Sequence, residues 1–183
     1  MLSFFWRPLL VFALLGPLSG IAETLAGRVV GVTDGDTISV LDEKNSQHSI
    51  RLAGIDAPER RQAFGERSRQ NLRRFAFQND VKLECHKTDR YRRKVCRVTI
   101  EGLDIALVQI QAGMAWHYKQ YQAEQSSEDR ARYAEMEYDA KAQRIGLWQD
   151  KNPISPWEFE LSRPRESQSS LAGGLVWGAE RAV

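Results

Sequence analysis

Cysteine and histidine are scarce in this chain, with two Cys and three His among 183 residues. Cys85 and Cys96, taken with the scattered His48, His86 and His117, lack zinc-ligand spacing, which argues against a tetrahedral nitrogen–sulfur site. A comfortable membrane span of roughly 20 apolar residues is also missing. The nearest approach, Leu9 to Leu18, is broken by Gly16 and Pro17, and no cysteine follows it to carry a lipid anchor. Charge of one sign is lacking as well. The net charge is only +2, so composition alone does not announce a nucleic-acid binder. No internal repeat is visible, which removes solenoid architectures.

What is present fits one globular domain with a real core: 42% of residues are hydrophobic and 27% charged. Residues 1–22 read as a signal peptide. Arg7 supplies a thin positive region, the apolar run follows, and Gly20-Ile21-Ala22 offers small residues before a cut ahead of Glu23. The expected location is therefore exported, periplasmic or secreted, with no stable membrane span after processing; an uncut anchor is the alternative. An oxidising compartment suits a disulfide between Cys85 and Cys96, against the alternative of two small buried thiols. The expected domain covers 23–160, and 161–183 reads as a flexible tail, because Ser, Gly, Arg and Pro dominate from Ser162 without periodicity.

Alternating apolar residues predict strands over Leu25–Val32, Thr37–Leu41, His48–Ile55, Val81–His86 and Lys94–Ile100. In the third, Ile50 and Leu52 share one face, which turns Arg51 to the other, toward a wet cleft. Helices are expected over Phe64–Phe77 (stripe Phe64, Leu72, Phe75, Ala76), Leu103–Ala112 (Leu103, Ala106, Leu107, Ile110) and from Ser126 or Ser127 to about Ile145. The last would turn Ala131, Ala134, Tyr138, Ala142 and Ile145 inward and end at Gly146. Met114–Tyr121 reads as an extended aromatic segment, and residues 147–157 as a stapled extension. Five strands and three helices in this order predict an α+β fold with a small closed or half-closed barrel, and periodicity does not separate that from an open sheet.

Two acidic turns stand out, Asp34-Gly35-Asp36-Thr37 and the stretch Arg51-Leu52-Ala53-Gly54-Ile55-Asp56-Ala57-Pro58-Glu59. Hard oxygen donors without His or Cys suit Ca²⁺ or Mg²⁺. Each turn read alone is an ordinary Asp-Gly or Asp-Ala-Pro turn. Arginine's fork matches the non-bridging oxygens of a phosphodiester, and a carboxylate near a metal can orient or deprotonate water. Arg51, Glu59 and Arg93 are the candidates. The run Lys87, Arg90, Arg92, Arg93, Lys94, Arg97 favours phosphate contact. The arginines of 60–74 fit a solvated helix face equally well. Tyr91, Tyr118 and Tyr121 suit phosphate or base contacts. His117, between Trp116 and Tyr118, reads as structural.

In this order and spacing, the two acidic turns followed by Asp89-Arg90-Tyr91-Arg92-Arg93 resemble the staphylococcal nuclease (thermonuclease) family over roughly Leu25–Trp148. The Gly146-Leu147-Trp148 ending is similar too. The resemblance implies a five-stranded OB-like barrel with three helices, acting on DNA and RNA as a Ca²⁺-dependent phosphodiesterase that leaves 3′-phosphates. Asp36, Asp56 and the Ala57 carbonyl would hold Ca²⁺, with Asp34 behind them. Arg51 and Arg93 would clamp the phosphate, Glu59 would be the general base, and Arg90, Tyr118 and Tyr121 would bind substrate. A monomer is expected. Arg92 stands where the family has glycine, Ala57 replaces a threonine, and the segment from Glu59 to Phe64 is shorter. The alternatives are a non-catalytic nucleic-acid-binding barrel and an anchored protein-interaction domain. Retention of Asp36, Arg51, Asp56, Glu59 and Arg93 favours the enzyme.

Overall fold

A computed structural model describes residues 23–162. Five strands form its frame: β1 (Glu23–Val32), β2 (Thr37–Asp42), β3 (Gln47–Leu52), β4 (Asp80–Thr88) and β5 (Lys94–Ile100). The antiparallel pairings β3–β2, β2–β1, β1–β4 and β4–β5 run around the sheet, with an irregularity between Val29 and Gly31 that bends β1. Parallel pairing of β3 with β5, Ile50 opposite Lys94 through Leu52 opposite Cys96, closes it into a barrel. The OB-like barrel expected from the sequence is present.

Strand alternation explains why the barrel fills itself. Val81, Leu83 and Cys85 of β4 point inward and their neighbours outward; Ile38 with Val40, Ile50 with Leu52, and Cys96 with Val98 do the same. Leaving water is worth about 1.5–3 kcal/mol for each large apolar side chain, so a register slip of one residue would forfeit most of this core. Cys85 and Cys96 are directly opposed and form a disulfide. The third strand stops at Leu52, short of the expected Ile55. Gly54 turns the chain at φ 77°, and Ile55–Asp56 pairs separately with Trp116–His117.

Among the described residues four helices, rather than three, surround the barrel: α1 (Gly65–Ala76), α2 (Ile105–Gln111), α3 (Ser127–Ala142) and α4 (Pro156–Ser162), with 3₁₀ turns at Lys119–Glu124 and Gly146–Gln149. Three faces differ from expectation. In α1, Ser68, Leu72 and Ala76 are buried while Phe75 is exposed. Leu103 lies outside α2, exposed on a bridge, because Asp104 caps that helix by accepting from Ala106 N at 3.0 Å. In α3 the buried residues are Tyr133, Glu137 and Ala140, and Tyr138 faces solvent. That helix ends at Ala142, with Arg144 taking φ 51° two residues before Gly146. The expected extended segment is a two-residue strand followed by the 3₁₀ turn. Trp116, Ala140, Leu147 and Trp148, with Phe64 and Trp157 against them, make a second apolar cluster. Among the described residues no helix is long and apolar enough to cross a membrane. The signal-peptide and tail expectations lie outside the described residues, apart from Leu161 and Ser162, which end α4.

Candidate active site

Barrel closure decides where the charged side chains meet. Pairing β3 with β5 puts Arg51 opposite Val95, two positions from Arg93, while the β1–β2 connection brings Asp34 and Asp36 to the same end. One cleft is lined by Asp34, Asp36, Arg51, Asp56, Ala57, Pro58, Glu59 and Arg93. The seven residues expected to bind metal or act on the phosphate are all there. Arg90, Tyr118 and Tyr121 are not among the lining residues. Arg90 lies over Tyr91 at 4.8 Å, Tyr121 lies under Lys87 Nζ at 4.4 Å, and Tyr118 stacks on Trp157.

Arg51 is held more tightly than a residue facing open water. Its side chain is 14% exposed; Nη2 donates to Asp56 Oδ1 at 2.6 Å, and Nη1 rests against the Asp36 carboxylate. Burial works against its charge, but Asp36 and Asp56 raise its pKa above the ordinary value. Asp36 is buried and accepts from Ala57 N–H at 3.1 Å and from Thr37 Oγ1 at 2.9 Å. Burial pushes its carboxyl up, yet Arg51 and these donors outweigh that and hold it below the usual range. Asp34 is pushed up to about 7 by burial and then by the neighbouring Asp36 charge. Burial and the same charge also take Asp56 to about 7, against the pull of Arg51.

The second arginine is built differently. Asp89 accepts from the N–H groups of Tyr91 and Arg93, each at 2.9 Å, and from Arg93 Nε at 2.7 Å. Arg93 Nη1 donates to Thr37 Oγ1 at 3.1 Å, which links it through Thr37 to Asp36. The turn takes Arg92 to φ 65°, the left-handed region where glycine is easiest.

Two buried amides, Gln109 and Gln62, support the cleft and carry no charge or periodicity to mark them in the sequence. Gln109, 1% exposed, donates through Nε2 to the Gly35 carbonyl at 2.6 Å and accepts from Asn71 Nδ2 at 2.6 Å. Gly35 must be glycine in this packing, because a Cβ there would come within 1.9 Å of Ser68 Oγ. Gln62 accepts from Glu59 N–H at 3.1 Å.

Asp34, Asp36 and Asp56 bring only oxygen donors to this cleft, with no nitrogen or sulfur ligand beside them, which fits a hard divalent cation. Arg51 already bridges Asp36 and Asp56, and among the described residues no three His, Cys, Asp or Glu side chains stand as a ready-made ligand cluster.

Comparison with known proteins matches residues 49–150 to the staphylococcal nuclease homologue family model. The chain is similar to an uncharacterized endonuclease of Haemophilus influenzae, 40% identical over 151 residues, covering 82% of this chain and 80% of that protein. A micrococcal nuclease of Shigella flexneri is 38% identical over 142 residues, 73% of this chain and 79% of its own. An uncharacterized endonuclease of Escherichia coli O157:H7 is 33% identical over 151 residues, 82% and 93% of the two chains.

Proposed function

This chain belongs to the staphylococcal nuclease homologue family, and on that premise we propose that it is an endonuclease hydrolysing phosphodiester bonds of DNA and RNA with Ca²⁺ as cofactor. The observation that carries the reading is the single cleft in which three aspartates, two arginines and Glu59 converge. A binding module has no need of a carboxylate beside two phosphate-matching arginines.

In this reading Asp36, Asp56 and the Ala57 carbonyl hold the cation, with Asp34 behind them. Bound there, Ca²⁺ supplies positive charge to the phosphate oxygens and an orienting field for water. Arg51 and Arg93 donate to the non-bridging oxygens, and their contribution grows as charge builds in the transition state. Asp89 and Thr37 hold Arg93 at its angle, so little reorganisation accompanies reaction. Glu59 orients the attacking water and takes its proton. The new bond is water oxygen to phosphorus, the bond broken is phosphorus to the 5′-oxygen, and that oxygen collects a proton from solvent. The products are a 3′-phosphate and a 5′-hydroxyl. Arg90, Tyr118 and Tyr121 bind the neighbouring nucleotide from outside the cleft. One copy carries every residue named, so a monomer suffices. The Cys85–Cys96 disulfide supports export to an oxidising compartment.

The test is cleavage of single-stranded DNA by wild type and Glu59→Ser, with Ca²⁺ and with chelator. Activity should need Ca²⁺ and fall by roughly 10²-fold or more in the variant, the scale of a lost general base. Full activity in chelator, or in the variant, would sink the mechanism, and binding without cleavage would make the protein a nucleic-acid-binding module.

A further inference from the structure

Two parts of the proposed site lean on one C-terminal segment. On one side, Gln62 is 9% exposed and divides its amide between partners. Oε1 accepts from Glu59 N–H at 3.1 Å, and Nε2 donates to the Ile154 carbonyl at 2.6 Å. A backbone N–H needs an acceptor and a carbonyl a donor, so both bonds require the same orientation of the amide. The turn is closed further by Gln62 N–H to Glu59 O at 2.8 Å and Gly65 N–H to Gln62 O at 3.0 Å. It is too tight for a side chain at Gly65, whose Cβ would sit 1.9 Å from the Glu59 carbonyl.

On the other side, Trp157 stacks on Tyr118 with centroids 5.5 Å apart and planes 17° from parallel, and meets Trp116 edge-on at 6.3 Å. Trp116 is paired with Asp56, and Tyr118 N–H donates to the Gly54 carbonyl at 2.9 Å. Between the two contacts lies a helix cap. Ser155 donates its N–H and Oγ to Glu158 Oε2 at 3.2 and 2.7 Å, which fixes the spacing of the Ile154 carbonyl and the Trp157 ring.

We propose that residues 153–157 are a working part of the active site, a strap that sets the Glu59 turn through Gln62 and the Tyr118 ring through Trp157. Gln62 and Trp157 are positioning residues. This rests on the nuclease reading and adds to it a segment beyond the stretch matched by the family model, which ends at residue 150. The two contacts act on different quantities. Displacing the Glu59 turn spoils the aim of the attacking water and lowers kcat. Releasing Tyr118 weakens the hold on the nucleotide and raises KM.

The experiment is steady-state cleavage of a single-stranded oligonucleotide with Ca²⁺ by the full chain and its variants, each checked for folding by thermal melt. Gln62→Ala should lower kcat roughly tenfold with KM little changed. Gln62→Glu keeps an acceptor for Glu59 N–H but loses the donor to Ile154, and should fall similarly. Trp157→Ala should raise KM about tenfold, and Trp157→Phe, which keeps a stacking ring, should restore it. In a Glu59→Gln background Gln62→Ala should cost nothing further, since its effect runs through Glu59. A folded Gln62→Ala with wild-type kcat overturns the proposal, as does an undiminished second loss in the Glu59→Gln background. So does an unchanged KM in Trp157→Ala. These failures would leave an active wild type, whereas an inactive wild type overturns the nuclease reading and the strap together.

Discussion

Arg51 donates to Asp56 across 2.6 Å while its other terminal nitrogen rests on Asp36, so one guanidinium stands between two carboxylates proposed to hold a cation. Arg51 and Ca²⁺ therefore draw on the same negative charge. Removing Arg51 leaves Asp36 buried without its counter-charge, which costs about 3 kcal/mol when a buried pair is broken from one side. Arg51→Ala should melt earlier than wild type without metal and gain a larger Tm increase from added Ca²⁺. A smaller gain would mean that Arg51 helps to build the cation site rather than competing for it.

The carboxylates give that Ca²⁺ effect a pH dependence of defined sign. Asp34 and Asp56 sit at about 7 in the fold, against roughly 3.9 for an unstructured aspartate. Raised pKa values mean that the fold holds extra protons between those limits. The stability they contribute is complete below about 4 and is lost as pH climbs through about 7. A bound cation reverses the loss by favouring the ionised forms. The rise in Tm caused by Ca²⁺ should therefore be larger at pH 8 than at pH 5.5. Equal shifts at the two pH values would remove these two aspartates from the binding site.

Arg92 stands at φ 65° in the turn that delivers Arg93, yet Asp89 secures that turn through two backbone bonds and one to Arg93 Nε. The strain at Arg92 is local. Arg92→Gly should stabilise the protein by about 1 kcal/mol without lowering cleavage. Asp89→Ala should cut kcat at least tenfold, because it removes the hold on Arg93. If Arg92→Gly lowers cleavage, Arg92 itself contacts the substrate.

The disulfide pins the two strands on either side of that turn. Cys85 and Cys96 are 11 residues apart, and a loop of this length restricts the unfolded chain by about 2–3 kcal/mol. A Cys85→Ala/Cys96→Ala variant should lose that much in urea unfolding and keep its room-temperature activity, since strand pairing holds the hairpin independently. Loss of activity in a folded variant would show that the bridge also sets Arg93.

The barrel was readable in the sequence wherever alternation was strict, as at Val81, Leu83 and Cys85, or Ile50 and Leu52 around Arg51. The cleft was readable because its residues are charged and cluster around glycine and proline turns. Helix α3 was not. Its inward face holds Glu137, kept charged by Lys119 and Lys141 and accepting from His117 N–H, and a hydrophobic pattern cannot reveal a buried carboxylate. Gln62 and Gln109 were missed for the related reason that a buried amide looks like a surface one until its partners are placed. Helix α4 does carry a local signal in the sequence: Ser155, Pro156 and Glu158 have the spacing of a capping box with proline in the first turn.

Parallel pairing of β3 with β5 joins segments more than forty residues apart, and it is the step that brings Arg51 beside Arg93. Contacts so distant along the chain form slowly, after the local hairpins. A chain with β3 and β5 still separate owns every side chain of the site but lacks Arg93 in the cleft. In the proposed mechanism, which needs both arginines on one phosphate, hydrolysis would therefore report completed barrel closure.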